Sequence, residues 1–148
     1  MSATLLGRNA PLRIPVVTPD APRCVLLAED DDALRLLLAS VLRADGHVVV
    51  EVGDGDALLS HLRAVRLGAL ALPVPDVIVC DLRMPGTDGL QALARLRREG
   101  WRMPMILMTA FGDATKHAEA HQLGAALVLD KPFRLAVLRA SVSRLLTT

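Results

Sequence analysis

The sequence predicts an α/β fold: a doubly wound, five-stranded parallel sheet with helices on both faces. Two observations carry this. Short apolar runs alternate with segments of helical periodicity five times along the chain, and right-handed crossovers between such runs place helices on both sides of one sheet. The polar residues also do not scatter. Glu29-Asp30, Asp81, Thr109 and Lys131 each close a different apolar run, so they gather at the strand ends where open α/β sheets form their ligand crevice.

In chain order, Met1 to Arg23 carries Pro11, Pro15, Pro19 and Pro22 and sustains no period. It reads as a flexible or extended arm, 1–23, ahead of a domain spanning 24–148. Val25 to Ala28 is the first strand, followed at once by Glu29-Asp30-Asp31-Asp32. Leu34, Leu37, Leu38, Val41 and Leu42 then recur at helical spacing, with Asp31 or Asp32 as the cap and Asp45-Gly46 as the stop. His47 to Glu51 is the second strand. Asp54-Gly55 opens the second helix, which turns Leu58, Leu62 and Val65 inward.

The stretch Leu67 to Pro75 is apolar but broken by Gly68, Pro73 and Pro75. It is expected to fold against the domain, with an exposed patch for a partner as the alternative. Val77 to Cys80 is a buried-strand run that ends abruptly in Asp81. Taken alone, an aspartate there is also an ordinary strand end. Met84-Pro85-Gly86 makes a turn, and Asp88-Gly89 opens a helix marked by Leu90, Leu93 and Leu96 and ended by Gly100. Met105 to Met108 is the fourth strand, ending in Thr109-Ala110. Ala114 to His121 is a short, weakly apolar helix. Ala125 to Leu129 is the fifth strand, ending in Asp130-Lys131-Pro132, and Leu135, Leu138, Val142 and Leu145 mark the last helix.

Composition narrows the function. The 148 residues suit one domain with a full core. Hydrophobic residues make up 52%, yet no run reaches a membrane span and the start lacks a signal-peptide pattern; a cytoplasmic protein is expected. A net charge of +1 does not call for nucleic acid or an acidic surface. Aromatics are 2%, with no Tyr, which argues against flavin or single-strand binding. Cys24 and Cys80 belong at opposite ends of neighbouring strands, beyond disulfide reach.

The chemistry of the gathered edge is specific. Crowded carboxylates repel unless a cation joins them, and all-oxygen ligation with several waters suits magnesium. A lysine and a hydroxyl beside such a metal make a place for a phosphoryl group. A carboxylate can accept that group as an acyl phosphate.

VLLAEDDD, VIVCDLRMPGTDG, LMTA and LDKPF resemble the motifs of the receiver domain of two-component response regulators. The resemblance runs from Cys24 to about Leu146. It implies a flavodoxin-like strand order, 2-1-3-4-5. It implies Asp81 as phosphoacceptor, and Mg2+ held by Asp30, Glu29, Asp81 and the backbone carbonyl of Arg83. Lys131 would pair with a phosphoryl oxygen, Thr109 would hydrogen-bond the group, and Lys131-Pro132 would be cis. The implied donor is a sensor histidine kinase or phosphotransfer protein. The implied output surface, and a possible dimer contact, is the fourth helix, fifth strand and last helix.

The chain departs from the family pattern at Glu29, where aspartate is commoner, and at Val128, where many members carry a switching aromatic. By the same resemblance Arg83 and Phe111 flank the approach of a hydrolysing water. Arg83 cannot take a proton from water and Phe111 offers no hydrogen bond, so slow self-dephosphorylation is expected.

Other candidates are weaker. His117 and His121 share a helix face, but HAEAH has no third ligand in view and reads as a solvated face. Arg95, Arg97, Arg98 and Arg102 suit the negative end of the third helix better than a nucleic-acid surface, and Trp101 is expected to pack there. A haloacid dehalogenase-type hydrolase needs an aspartate two residues after the nucleophile, where this chain has Arg83. A flavodoxin-like carrier lacks its phosphate loop. A receiver-like binding module without phosphorylation fits less well with Asp30, Asp81, Thr109 and Lys131 all present. No output domain is expected within the chain, so it acts by contact or belongs to a longer protein.

Overall fold

Alternation within the strands decides the layers. Successive strand residues point to opposite faces, so each apolar strand feeds two cores at once. The computed structural model describes residues 22–68, 71–110 and 113–147; Phe111 and most of the expected arm, residues 1–21, lie outside them. The strands are β1 Cys24–Ala28, β2 Val48–Val52, β3 Val77–Asp81, β4 Met105–Ala110 and β5 Leu127–Lys131. The helices are α1 Asp32–Ala44, α2 Gly55–Arg66, α3 Gly89–Arg98, α4 Ala114–Gln122 and α5 Leu135–Leu146. The strands pair in parallel in the order β2-β1-β3-β4-β5, as the resemblance implies.

On one face Leu26, Ala28, Ile78, Cys80, Met105 and Leu107 meet Leu58 and Leu62 of α2, Leu93 and Leu96 of α3, and Ala120 of α4. On the other, Val25, Leu27, Val77, Val79, Ile106 and Met108 meet Leu38 and Leu42 of α1 and Leu138 and Val142 of α5. β1 and β3 are buried along their whole length. That rigid centre carries the Glu29 and Asp81 ends of the edge.

α1 and α3 start and stop, and α2 starts, on the residues the sequence marks. Asp31, Asp54, Asp88 and Asp113 cap α1 to α4, each side chain accepting a backbone N–H of the first turn. Asp88 and Gln91 complete a capping box. Gly46, Gly100 and Gly124 follow α1, α3 and α4 at positive φ. The N–H of the next residue then reaches back to the helix: His47 to Leu42 O, Trp101 to Leu96 O, Ala125 to Ala120 O. This return explains two shifts from the sequence reading. β2 begins at Val48 and β5 at Leu127, because His47 and Ala125 serve the helix stop before the ladder begins.

The apolar stretch before β3 does not fold down as expected. Leu67 is 76% exposed and Val74 59%, and Pro75 is buried. The next residue, Asp76, accepts the Cys24 N–H at 2.8 Å, which fixes the entry to β3, seats Pro75 and leaves Pro73 and Val74 outside. Cys24 and Cys80 are free and buried at opposite ends of paired strands. No helix among the described residues is long and apolar enough to cross a membrane.

Candidate functional site

The strand register delivers the polar residues to one edge. Ala28 pairs with Cys80 and Asp81 with Met108, so Glu29, Asp81 and Thr109 emerge within about one residue of each other. Ala110 pairs with Lys131, which brings in β5. Carboxylate oxygens of Glu29, Asp30 and Asp81 lie within 4.8 Å of one another. Glu29 and Asp81 are buried and Asp30 is exposed. Lys131 Nζ lies 3.0 Å from Glu29 Oε1 and 3.2 Å from Asp81 Oδ2. The Lys131-Pro132 bond is cis.

These positions are held from behind. The Glu29 carbonyl accepts from Arg35 at 2.8 Å, its carboxylate accepts the Asp31 N–H at 3.1 Å, and its N–H donates to Val52 at 3.2 Å. Arg35 also pairs with Asp32 and Glu51, so α1 and β2 both orient the acidic corner. The N–H of Leu82 donates to Met108 O, and the N–H of Gly89 donates to Leu82 O, which turns the chain sharply after Asp81. α3 starts so close that a Cβ on Gly89 would stand 2.7 Å from the Asp81 carbonyl.

Charge in the corner is only partly offset, with three carboxylates sharing one lysine. Burial pushes the Glu29 carboxyl up, the Asp31 N–H and Lys131 pull it back, and the Asp81 charge raises it again; it stays above the usual range. Burial alone would lower the Lys131 ammonium, yet the hydrogen bond to Glu29 and the Asp81 charge outweigh it and hold it above the usual lysine value. Burial pushes the Cys80 thiol up, so it stays protonated beside Asp81. The Thr109 hydroxyl is buried with no hydrogen-bond partner among the described residues. A buried hydroxyl without a partner is costly, so Thr109 is a donor available to an oxygen brought to this edge.

Two concavities open here. One, of about 620 Å³, joins Asp81, Arg83 and Lys131 to the apolar side chains of Leu34, Leu37, Phe133 and Leu135. Leu37 is 46% exposed, although its helical spacing groups it with core leucines. The other holds Asp30 and Arg83 beside Met84, Pro85 and Gly86.

Residues 25–143 match the family described as the response regulator receiver domain. The chain belongs to the response regulator receiver family. It is 38% identical over 120 residues to the response regulator protein FleR of Pseudomonas aeruginosa, covering 81% of this chain and 24% of FleR. It is 38% identical over 124 residues to the transcriptional regulatory protein FixJ of Azorhizobium caulinodans, covering 81% of this chain and 55% of FixJ. The chain thus spans only part of the length of these curated relatives. Among solved structures, the receiver domain of the Francisella response regulator 1452 superposes with a TM-score of 0.75 at 26% identity, over 84% of this chain and 97% of that one. The Vibrio cholerae chemotaxis protein CheY4 gives 0.73 at 25% identity, over 84% and 99%.

Within this receiver domain, Glu29, Asp30, Asp81, Thr109 and Lys131 reach the same edge, and Arg83 lines the cavity with Asp81 and Lys131; Phe111 lies outside the described residues. Three further polar links escaped the sequence reading. Arg35 braces Glu29, as above. Arg83 reaches Asp113 at 3.5 Å. His117, expected on a solvated face, instead meets Asp130 at 2.7 Å. The Arg97 guanidinium does serve the end of α3, donating to the carbonyls of Trp101, Met103 and Gly124, and Arg66 stacks over Trp101 at 4.5 Å.

Proposed function

We propose that this receiver domain accepts a phosphoryl group on Asp81 from a sensor histidine kinase or phosphotransfer protein, with Mg2+, and so switches a protein-binding surface. One juxtaposition carries the reading: three carboxylates within 4.8 Å, a lysine bridging two of them, and a buried, unpartnered hydroxyl beside them. The donor set fits magnesium, an oxygen-binding ion that keeps several waters. Glu29, Asp30, Asp81 and the Arg83 carbonyl would hold it. Bound there, it supplies positive charge that joins the carboxylates to the incoming phosphoryl oxygens.

The chain's own groups do the rest. An Asp81 oxygen attacks phosphorus in line with the donor imidazole nitrogen. The P–O bond forms as the P–N bond breaks, and the electron pair stays on nitrogen, leaving neutral imidazole where the other ring nitrogen carries a proton. Lys131 shifts from Glu29 and Asp81 to a phosphoryl oxygen. Thr109 donates its free hydroxyl to another. The apolar rim of the 620 Å³ cavity, with Leu34 and Leu37 on α1 and Phe133 and Leu135 at the start of α5, suits the helix that presents the donor histidine. α4, β5 and α5 form the output face, where Leu123 is 36% and Val137 43% exposed for a target or a second copy. The domain is a signalling module with no substrate turnover of its own beyond this phosphoryl chemistry.

The test is incubation with acetyl phosphate and magnesium, read by intact mass. The chain gains one phosphoryl group and Asp81→Asn gains none. Full labelling of Asp81→Asn at another residue would sink the assignment.

A further inference from the structure

α4 is the helix least held by the core. Ala120 is its one buried residue among those described. Its remaining anchors are polar. Near its middle, His117 meets Asp130, the residue before Lys131. At its start, Asp113 caps the helix by accepting the Lys116 N–H, and its other carboxylate oxygen faces the Arg83 guanidinium at 3.5 Å. The Arg83–Asp113 pair therefore joins the loop after the phosphoacceptor to the first turn of α4.

That pair is poised to exchange. Its separation exceeds the roughly 2.7–2.9 Å of a well-made charge-assisted bond. The Arg83 side chain is 70% exposed and that of Asp113 23%, so water competes for the guanidinium throughout. Arg83 lines the same cavity as Asp81 and Lys131. Lys131 is already engaged by two carboxylates, which leaves Arg83 as the more loosely held cation of the cavity. Phosphorylation would put a group of about two negative charges and three acceptor oxygens there. A guanidinium pairs with such a group through two parallel bonds, whereas Asp113 offers it one long contact.

We propose that Arg83 is a second phosphoryl-binding cation, held in reserve by Asp113, and that its transfer to the phosphoryl group unlatches the N-terminus of α4. The idea rests on Asp81 taking the phosphoryl group. Once Arg83 leaves, Asp113 still caps its own helix, so α4 stays helical. What it loses is the tie to the β3–α3 loop; among the described residues Ala120, the His117–Asp130 pair and the Arg97 bond to Gly124 beyond its far end still dock it.

The experiment is amide hydrogen exchange over α4 in the full chain, with and without acetyl phosphate and magnesium. Intact mass on the same samples reports the extent of phosphorylation. Asp113→Asn keeps a capping oxygen and removes the charge that holds Arg83; Asp113→Glu keeps the charge on a side chain less suited to capping. In wild type, phosphorylation speeds exchange at Lys116 to Ala120 by about two- to fivefold, the scale of one exposed ion pair. Asp113→Asn takes up phosphate normally, exchanges at the faster rate before phosphorylation and does not change with it. Asp113→Glu responds as wild type does. A phosphorylated wild type with unchanged α4 exchange overturns the latch and leaves the phosphoacceptor reading standing. So does an Asp113→Asn chain that responds like wild type, or an Asp113→Glu chain that is fast from the start, since then the cap and not the charge holds α4. A wild type that gains no mass overturns the phosphoacceptor reading, and the latch falls with it.

Discussion

His61 on α2 has a buried Nε2 with no hydrogen-bond partner among the described residues, and burial lowers its pKa below the ordinary 6.5. The sign of the consequence is fixed. The unfolded chain takes up a proton near 6.5, while folded His61 resists it to lower pH. Stability is therefore full above that range and falls as pH drops from 6.5 through the folded value. Between about pH 7 and about pH 5, where histidine titrates, wild type loses more unfolding free energy than His61→Leu; equal losses in urea titrations would show that His61 does not titrate on unfolding. Nothing in the sequence sets His61 apart from the other histidines, because burial of one ring nitrogen depends on the rotation of α2. The same limit hid Arg35, Asp113 and the His117–Asp130 pair. Asp81 was legible because it closes an apolar run, and Thr109 and Lys131 because they close others. A residue at a strand end is placed by the chain's alternation, whereas a partner on a helix flank is placed by an angle the sequence does not spell out.

At the level of elements, the junction of β3 and α3 sets where Asp81 points. Gly89 opens α3 with its N–H on the Leu82 carbonyl. An added Cβ would meet two backbone atoms, the Asp81 carbonyl oxygen at 2.7 Å and Leu82 Cα at 2.9 Å. Neither can swing aside as a side chain could, so the helix start and the Asp81 strand end must move apart. Gly89→Ala is expected to cost roughly 1–3 kcal/mol, as overpacking does, and to slow phosphorylation by acetyl phosphate. Gly53→Ala is the control. Its Cβ would meet only Arg35, at an ordinary 3.7 Å, so it should stay within about 0.5 kcal/mol of wild type. Urea denaturation and intact-mass time courses read both effects, and a Gly89→Ala chain that matches Gly53→Ala would mean the junction yields freely. The sequence announced this helix start through Asp88 and Gly89, but the reason for glycine, contact with the preceding strand, is tertiary. The stretch from Leu67 to Pro75 failed for a related reason. Its apolar residues suggest burial, yet Asp76 must meet Cys24, and the turn that takes it there leaves Leu67 and Val74 outside.

Across the whole molecule, fold and site are one consequence of the same alternation. Parallel strands with apolar residues on both faces need helices on both sides, and the crossovers collect every strand's C-terminal end on one edge. The sheet, its doubly wound layers and the edge were therefore legible from the apolar runs; the strand order needed the family resemblance. That edge concentrates negative charge, which opposes folding. Glu29 and Asp81 are desolvated beside Asp30 with a single lysine between two of them. An ion that joins all three carboxylates binds the folded chain, because unfolding scatters Glu29 and Asp30 from Asp81. Magnesium should then stabilise the fold, by about 1.4 kcal/mol at tenfold its dissociation constant, or roughly 4 °C in Tm. The increment, measured as the difference with and without magnesium, removes the direct effect of each substitution on stability. Asp30→Ala should shrink it more than Glu29→Ala. Glu29 is already engaged by Lys131 and the Asp31 N–H, while exposed Asp30 is free to turn toward an ion. Calcium, larger and less strict in geometry, serves as the comparison in the same melts. An increment of the same size in wild type, Asp30→Ala and Asp81→Asn would place the ion elsewhere on the molecule and detach the acidic edge from metal binding.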